Sequence, residues 1–224
     1  MNGTLYKNCR IHPTALIEEN VSIGDGTAIW DNVHIRHGTQ IGRNCIIGEK
    51  TYIAYDVRLG NYCKLNSSVY VCTGVTIDDY VMLSAHVVFT NDRFPRSFDQ
   101  HPNGLANSEP NADTLNTQVA LGVTVGANAT IGPGLTLGKF AMIGMGSVVT
   151  HDIPPYGLVI GNPARLVGYA CTCGLALIRD NLLKTESSAG HHICKRCGRV
   201  YHSTPTGIDE IHVPLQFETE NTFR

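Results

Sequence analysis

One apolar residue in every six is the feature that most constrains this chain. From Ile11 the six-residue steps land on Ile17, Ile23, Ile29, Ile35, Ile41, Ile47, Ile53, Leu59, Leu65, Val71, Ile77, Leu83 and Phe89, without a polar interruption. The residue four places further on is small or β-branched, as at Ala15, Thr27, Cys45, Thr51 and Val69. A glycine often follows the aliphatic, as at Gly24, Gly42, Gly48 and Gly60. A helical period of 3.6 does not reproduce this pattern, and plain strand alternation does not fix a period of six. A prism does: each hexapeptide supplies one short strand and one corner, three hexapeptides close a coil, and the aliphatics stack inside from coil to coil. Parallel strands then pair between successive coils, about 4.8 Å apart.

The period stops after Phe89-Thr90-Asn91-Asp92. It resumes at Val119 and runs through Val125, Ile131, Leu137, Ile143 and Val149. The intervening stretch, about 93–118, is rich in Pro, Asn, Ser and charge. A long insertion in a regular solenoid is uncommon, and where one occurs it is usually functional. Pro154-Pro155 marks the expected end of regular ladder pairing.

Composition excludes several function classes. A formal charge of −2 gives no reason to expect nucleic acid as a partner. No run of apolar residues reaches the length of a membrane span, and Met1 to Arg10 lacks the apolar core of a secretory signal. The expected setting is therefore cytoplasmic and free of membrane.

The eight cysteines divide in two. Cys9, Cys45, Cys63 and Cys72 are scattered through the repeat and read as reduced core residues. Cys171-Thr-Cys173-Gly and Cys194-Lys-Arg-Cys197-Gly form two close pairs, and in a chain without a secretion signal such pairs read as metal ligands. Four thiolates make a closed tetrahedral site, so the expected ion is a structural Zn²⁺ in a zinc-ribbon-like module over 169–212. His191, His192 and His202 are alternative ligands. The C-x-C spacing of the first pair is shorter than the commoner C-x-x-C. The tail, 213–224, reads as poorly ordered.

The repeat resembles that of the hexapeptide-repeat acyltransferases over roughly residues 11–168, the extent expected for the main domain. Three segments narrow the likeness: IGDGTAIWDNVHI (23–35), VVFTNDRFPR (87–96) and GLVIGNPARLVGYACTCG (157–174). They are similar to enzymes that N-acetylate the 3-amino group of nucleotide-linked sugars. The resemblance implies an all-β fold, a left-handed parallel β-helix. It also implies a homotrimer with active sites between subunits, and acetyl-CoA lying in the groove between neighbouring prisms. The cofactor contacts it implies fall on Ala127, Met145, Thr150 and Arg165. The substrate it implies is UDP-2-acetamido-3-amino-2,3-dideoxyglucuronate, used in surface polysaccharide (lipopolysaccharide) biosynthesis. A dTDP-3-amino-3,6-dideoxyhexose is the alternative, and a non-catalytic scaffold is a third reading.

Acyl transfer to an amine needs a group that orients or deprotonates the nucleophile and a donor for the oxyanion. Many members of the superfamily place a histidine where the long loop begins, and this sequence has Asn91 there. Asn orients by hydrogen bonds but takes no proton at neutral pH. His86, just before the loop, and His101, within it, are the candidate bases. His12, His34 and His37 read as outer-face residues. Asp92, Arg93 and Arg96 are candidate substrate contacts, the arginines for a diphosphate or a sugar carboxylate.

Overall fold

The computed structural model describes residues 6, 8–98, 101–107, 110–179, 190–204 and 207–212. The expected tail, 213–224, lies outside them. Among the described residues every regular element is a strand, most of them two residues long. Each strand of the repeat pairs in parallel with the strand one coil away: Arg10 faces Ala28, Leu16 faces His34 and Ser22 faces Gln40. The step is 18 residues, three hexapeptides per coil, and it generates three faces. The first carries the strands Arg10–Ile11, Ala28–Ile29, Ile46–Ile47 and their successors, and the second runs from Leu16–Ile17 to Val148–Val149. The third runs from Ser22–Ile23 to Thr136–Leu137. The parallel β-helix read from the repeat is the fold observed.

The aliphatic of each strand points inward. Ile35, Ile47, Ile53, Leu65, Val71, Leu83, Phe89 and Ile131 are all fully buried in one continuous core, and each such side chain contributes about 1.5–3 kcal/mol. The glycine that follows is required by crowding: a Cβ on Gly60 would lie 2.6 Å from the Asp78 carbonyl carbon of the next coil.

The fifth position has a second requirement. Buried Thr and Cys there donate to a backbone carbonyl 15 residues ahead: Thr27 Oγ1 to Gly42 (2.9 Å), Thr39 Oγ1 to Ala54 (2.8 Å) and Cys63 Sγ to Asp78 (3.1 Å). Cys63 is thus a core residue that also ties one coil to the next, and Cys45 does the same to Gly60 at 3.2 Å. Cys72 is buried with no such bond among the described residues, and Cys9 is half-buried.

The insertion leaves the second face after Val88–Phe89 and rejoins at the third-face strand Thr117–Val119. Register survives it, since Phe89 pairs with Ile131 and Ile77 with Val119. The two prolines do not end all pairing: on the first face, Gly157–Gly161 still runs parallel to Met142–Ile143. That strand then folds back antiparallel through Ala164–Ala170 and Ala176–Arg179. Ser147 Oγ accepts the Gly161 amide, anchoring the turn of the added ribbon to the last coil.

A separate sheet, His191–Ile193, Val200–Thr204 and Gly207–His212, forms the C-terminal module with its own small core. An edge-on contact between Tyr156 and buried Tyr201 joins that core to the end of the prism.

Candidate functional site

The foot of the insertion is built as a short antiparallel clasp. Asp92 bridges to Thr114, the Leu115 amide donates to the Asn91 carbonyl at 2.7 Å, and Thr114 Oγ1 donates to Asp92 Oδ1 at 3.1 Å. The clasp presents Asn91 and Asp92 to a cavity on the second face. That cavity is walled by Tyr52, Tyr55 and Tyr70, floored by Ala54 and Cys72, and roofed by Asn107 and Asn111 of the insertion.

Local packing fixes the walls. Tyr52 and Tyr70 occupy the same outward position one coil apart, so their rings stack at 5.3 Å and 8°. Arg36 lies above them, donating to the Tyr52 hydroxyl at 2.7 Å and covering the Tyr55 ring at 4.2 Å. Its Nε meets Glu18 at 2.6 Å, and His34 Nε2 meets the same carboxylate at 2.9 Å. The hydrogen bond from His34 is the largest influence holding the Glu18 carboxyl below its ordinary value, with the His37 amide and Arg36 adding to it.

Asn91 is half-buried, its Nδ2 donating to the Thr73 carbonyl at 3.2 Å. Burial is the main influence on the titration of Cys72 and Tyr70 in the cavity. Burial pushes the Cys72 thiol up to about 12, and the nearby Asp92 carboxylate pushes it the same way. Burial also raises Tyr70, with Cys72, the neighbouring tyrosines and Asp92 contributing.

The residues expected at the site from sequence do not all meet within one chain. Asn91 and Asp92 line the cavity, at the edge between the second and third faces. His86 is exposed at the other edge of the second face, in left-handed backbone with φ of 60°. Ala127 and Met145 stack along that same edge, because Val125 is in register with both Leu83 and Ile143. Met145 is 82% exposed. Thr150 follows the last second-face strand, and its hydroxyl meets His151 Nδ1 at 2.9 Å. Arg165 lies at the end of the prism beside His151 and Asp152.

Arg93 and Arg96 are exposed and are absent from the cavity lining. Arg96 folds onto the neighbouring Pro95 carbonyl at 3.2 Å. His101 is also exposed. The tyrosine wall was not anticipated, although the spacing of 18 between Tyr52 and Tyr70 carries the signal.

In the C-terminal module the four cysteine sulfurs lie within 4.8 Å of one another. Cys171 and Cys197 are 3.4 Å apart, and Cys173 and Cys194 are 3.6 Å apart. Sulfurs bound to one zinc at about 2.3 Å would be roughly 3.8 Å apart, so the cluster has the right dimensions. Tyr201 Oη sits 3.2 Å from Cys171 Sγ and donates to Glu210 at 2.8 Å, which fixes the phenol beside the sulfurs.

The coil register and the repeat define the class of this molecule. It is a parallel β-helix built on a six-residue repeat, and residues 20–55 match the family described as bacterial transferase hexapeptide (six repeats). Among particular relatives, it is 51% identical over 57 residues to the dTDP-3-amino-3,6-dideoxy-alpha-D-galactopyranose 3-N-acetyltransferase of Aneurinibacillus thermoaerophilus. That stretch covers 25% of this chain and 30% of the relative, so the match spans less than a third of that protein.

Solved structures with similarity include PerB from Caulobacter crescentus in complex with CoA and GDP-perosamine. It is 25% identical, with a TM-score of 0.41, over 71% of this chain and 57% of that one. A variant of AntD, an N-acyltransferase from Bacillus cereus in complex with dTDP and coenzyme A, is 21% identical. Its TM-score is 0.48, over 73% of this chain and 82% of that one.

Proposed function

We propose that this protein is an acetyl-CoA-dependent N-acetyltransferase acting on the 3-amino group of a nucleotide-linked sugar. The observation that carries the reading is the cavity at the foot of the insertion, where Asn91 and Asp92 sit over a tyrosine wall. The 51% identity to a 3-N-acetyltransferase supports it. In the proposed reaction the neutral amine attacks the thioester carbonyl, forming the N–C bond. The tetrahedral oxyanion then collapses with cleavage of the C–S bond, and the amine proton leaves with the sulfur. Asn91 orients the amine: its Nδ2 is committed to Thr73, which leaves Oδ1 as the acceptor for an amine N–H.

The proposed acetyl-CoA contacts are Ala127, Met145, Thr150 and Arg165. In the proposed homotrimer, a groove between two prisms would set the edge carrying His86, Ala127 and Met145 of one copy against the cavity of the next. His86 then becomes available to the amine from outside its own chain. Arg165 is suited to a phosphate at the nucleotide end of the cofactor.

Of the two sugars considered, the dTDP-3-amino-3,6-dideoxyhexose is favoured over the UDP-linked uronate. Among the described residues no cationic side chain lines the cavity, and the matched relative carries the 6-deoxy substrate in its name. Surface polysaccharide assembly is the proposed setting, within the cytoplasm. Cys171, Cys173, Cys194 and Cys197 would hold a structural Zn²⁺, whose contribution is folding energy for the module.

Release of free thiol from acetyl-CoA, followed across UDP- and dTDP-linked 3-amino sugars, tests the reading. Turnover of the amino sugars, with none of their 3-hydroxy counterparts, is the expected result. Transfer to the hydroxy sugars alone would overturn it.

A further inference from the structure

We propose that Asp92 is the specificity-determining residue of this cavity, admitting the amine-bearing face of a neutral sugar and turning away a sugar that carries a carboxylate. The inference rests on the acetyltransferase reading and narrows its substrate class.

Its basis is the charge inventory of the cavity. Among the described residues the lining comprises Tyr, Ala, Cys, Thr, Asn and Pro side chains together with one carboxylate, that of Asp92. The arginines that could offset it are occupied or elsewhere. Arg36, above the tyrosine wall, is committed to Glu18, the Tyr52 hydroxyl and the Tyr55 ring. Arg96 turns back onto Pro95, and neither it nor Arg93 reaches the lining. The Asp92 carboxylate is held in place by the strand-like bridge to Thr114 and by the Thr114 hydroxyl on its Oδ1.

A carboxylate on the cavity wall accepts a hydrogen bond from an amine and repels a second carboxylate, and because Asp92 is exposed the repulsion is that of a partly screened pair. Like charges facing one another inside a binding site are a common source of discrimination. Asp92 therefore does two things with one group. It accepts a hydrogen bond from the substrate amine beside Asn91, and it makes the cavity hostile to a uronate.

The test compares kcat/KM for a dTDP-3-amino-3,6-dideoxyhexose and a UDP-3-amino-uronate in the wild-type protein and in Asp92→Asn. Asparagine keeps the shape and the acceptor for the Thr114 hydroxyl while removing the charge. The expected result is a fall of about tenfold or more in the ratio of neutral to uronate substrate. It should combine a higher KM for the neutral amino sugar with a gain of uronate turnover. Structural damage cannot produce a gain, so that arm separates selection from misfolding. An unchanged ratio in an active variant would overturn the role of Asp92 and leave the acetyltransferase reading intact. Wild-type turnover of the uronate in preference to the neutral sugar would overturn the role as well. Absence of thiol release from the wild type with either sugar would defeat the underlying reading, and this inference with it.

Discussion

Asn91 Nδ2 donates to the carbonyl oxygen of Thr73 at 3.2 Å, so the chain just ahead of the insertion is pinned to the coil one turn away. This bond ties the departure point of a long loop to the prism. Replacing Asn91 with Ala removes the proposed amine acceptor and deletes the side-chain donor to the Thr73 carbonyl. A loss of roughly 10²-fold in kcat is expected, the scale of removing one positioned polar group from an active site. Thiol-release kinetics on Asn91→Ala decide the matter, and an undiminished rate would remove Asn91 from the mechanism.

The four sulfurs of Cys171, Cys173, Cys194 and Cys197 should bind one zinc per chain, measurable by elemental analysis of the purified protein. Chelation, or Cys194→Ser, is expected to abolish hydrogen-exchange protection in the strands Val200–Thr204 and Gly207–His212 while the core strands of the prism stay protected. Protection lost equally in both regions would show that the module is not an independently metal-stabilised unit. Unchanged protection after complete metal removal would deny zinc its structural role.

Thr39 is fully buried and its hydroxyl donates to the Ala54 carbonyl at 2.8 Å. Thr39→Val keeps the shape and deletes the donor, leaving a buried carbonyl short of a partner. The expected cost is about 1–3 kcal/mol in denaturant unfolding, with Thr39→Ser retaining the hydrogen bond. Equal stability of the valine variant and the wild type would show that the fifth position selects for shape alone.

The architecture was legible because one geometric rule, three hexapeptides per coil, converts sequence position into face and height. The four-cysteine cluster was legible for a similar reason, since paired thiols next to glycine have few other uses. The cavity was only half legible. Asn91 and Asp92 stand where the period breaks, which marks them in the sequence. The tyrosine wall is also encoded, by the 18-residue step from Tyr52 to Tyr70, but it becomes visible only once the coil length is applied to outward positions as well as inward ones. His86 and Asn91 are close in sequence and yet sit at opposite edges of one face, because a single strand lies between them. Where Arg93 and Arg96 point was beyond the sequence altogether, since no periodicity governs the side chains of the insertion.

Glu18 gives a pH prediction with a definite sign. Its carboxylate accepts from His34 and the His37 amide and meets Arg36, and these contacts hold its titration below the ordinary carboxylate value. A carboxyl whose folded-state value is depressed adds stability that is complete above its unfolded value, about 4.3 for Glu. That stability disappears as pH falls through the lower, folded-state value. Glu18→Gln removes the titrating group while preserving its size. The wild type should therefore melt higher than the variant near neutral pH, and the gap should close as the pH is lowered from about 5 to about 3. Thermal melts of both proteins across that range provide the measurement. A gap that stays constant down to the acid limit would show that Glu18 stabilises the coil by packing and not by charge. A gap that widens on acidification would contradict the network around Arg36, and with it the account of why that arginine is withheld from the cavity.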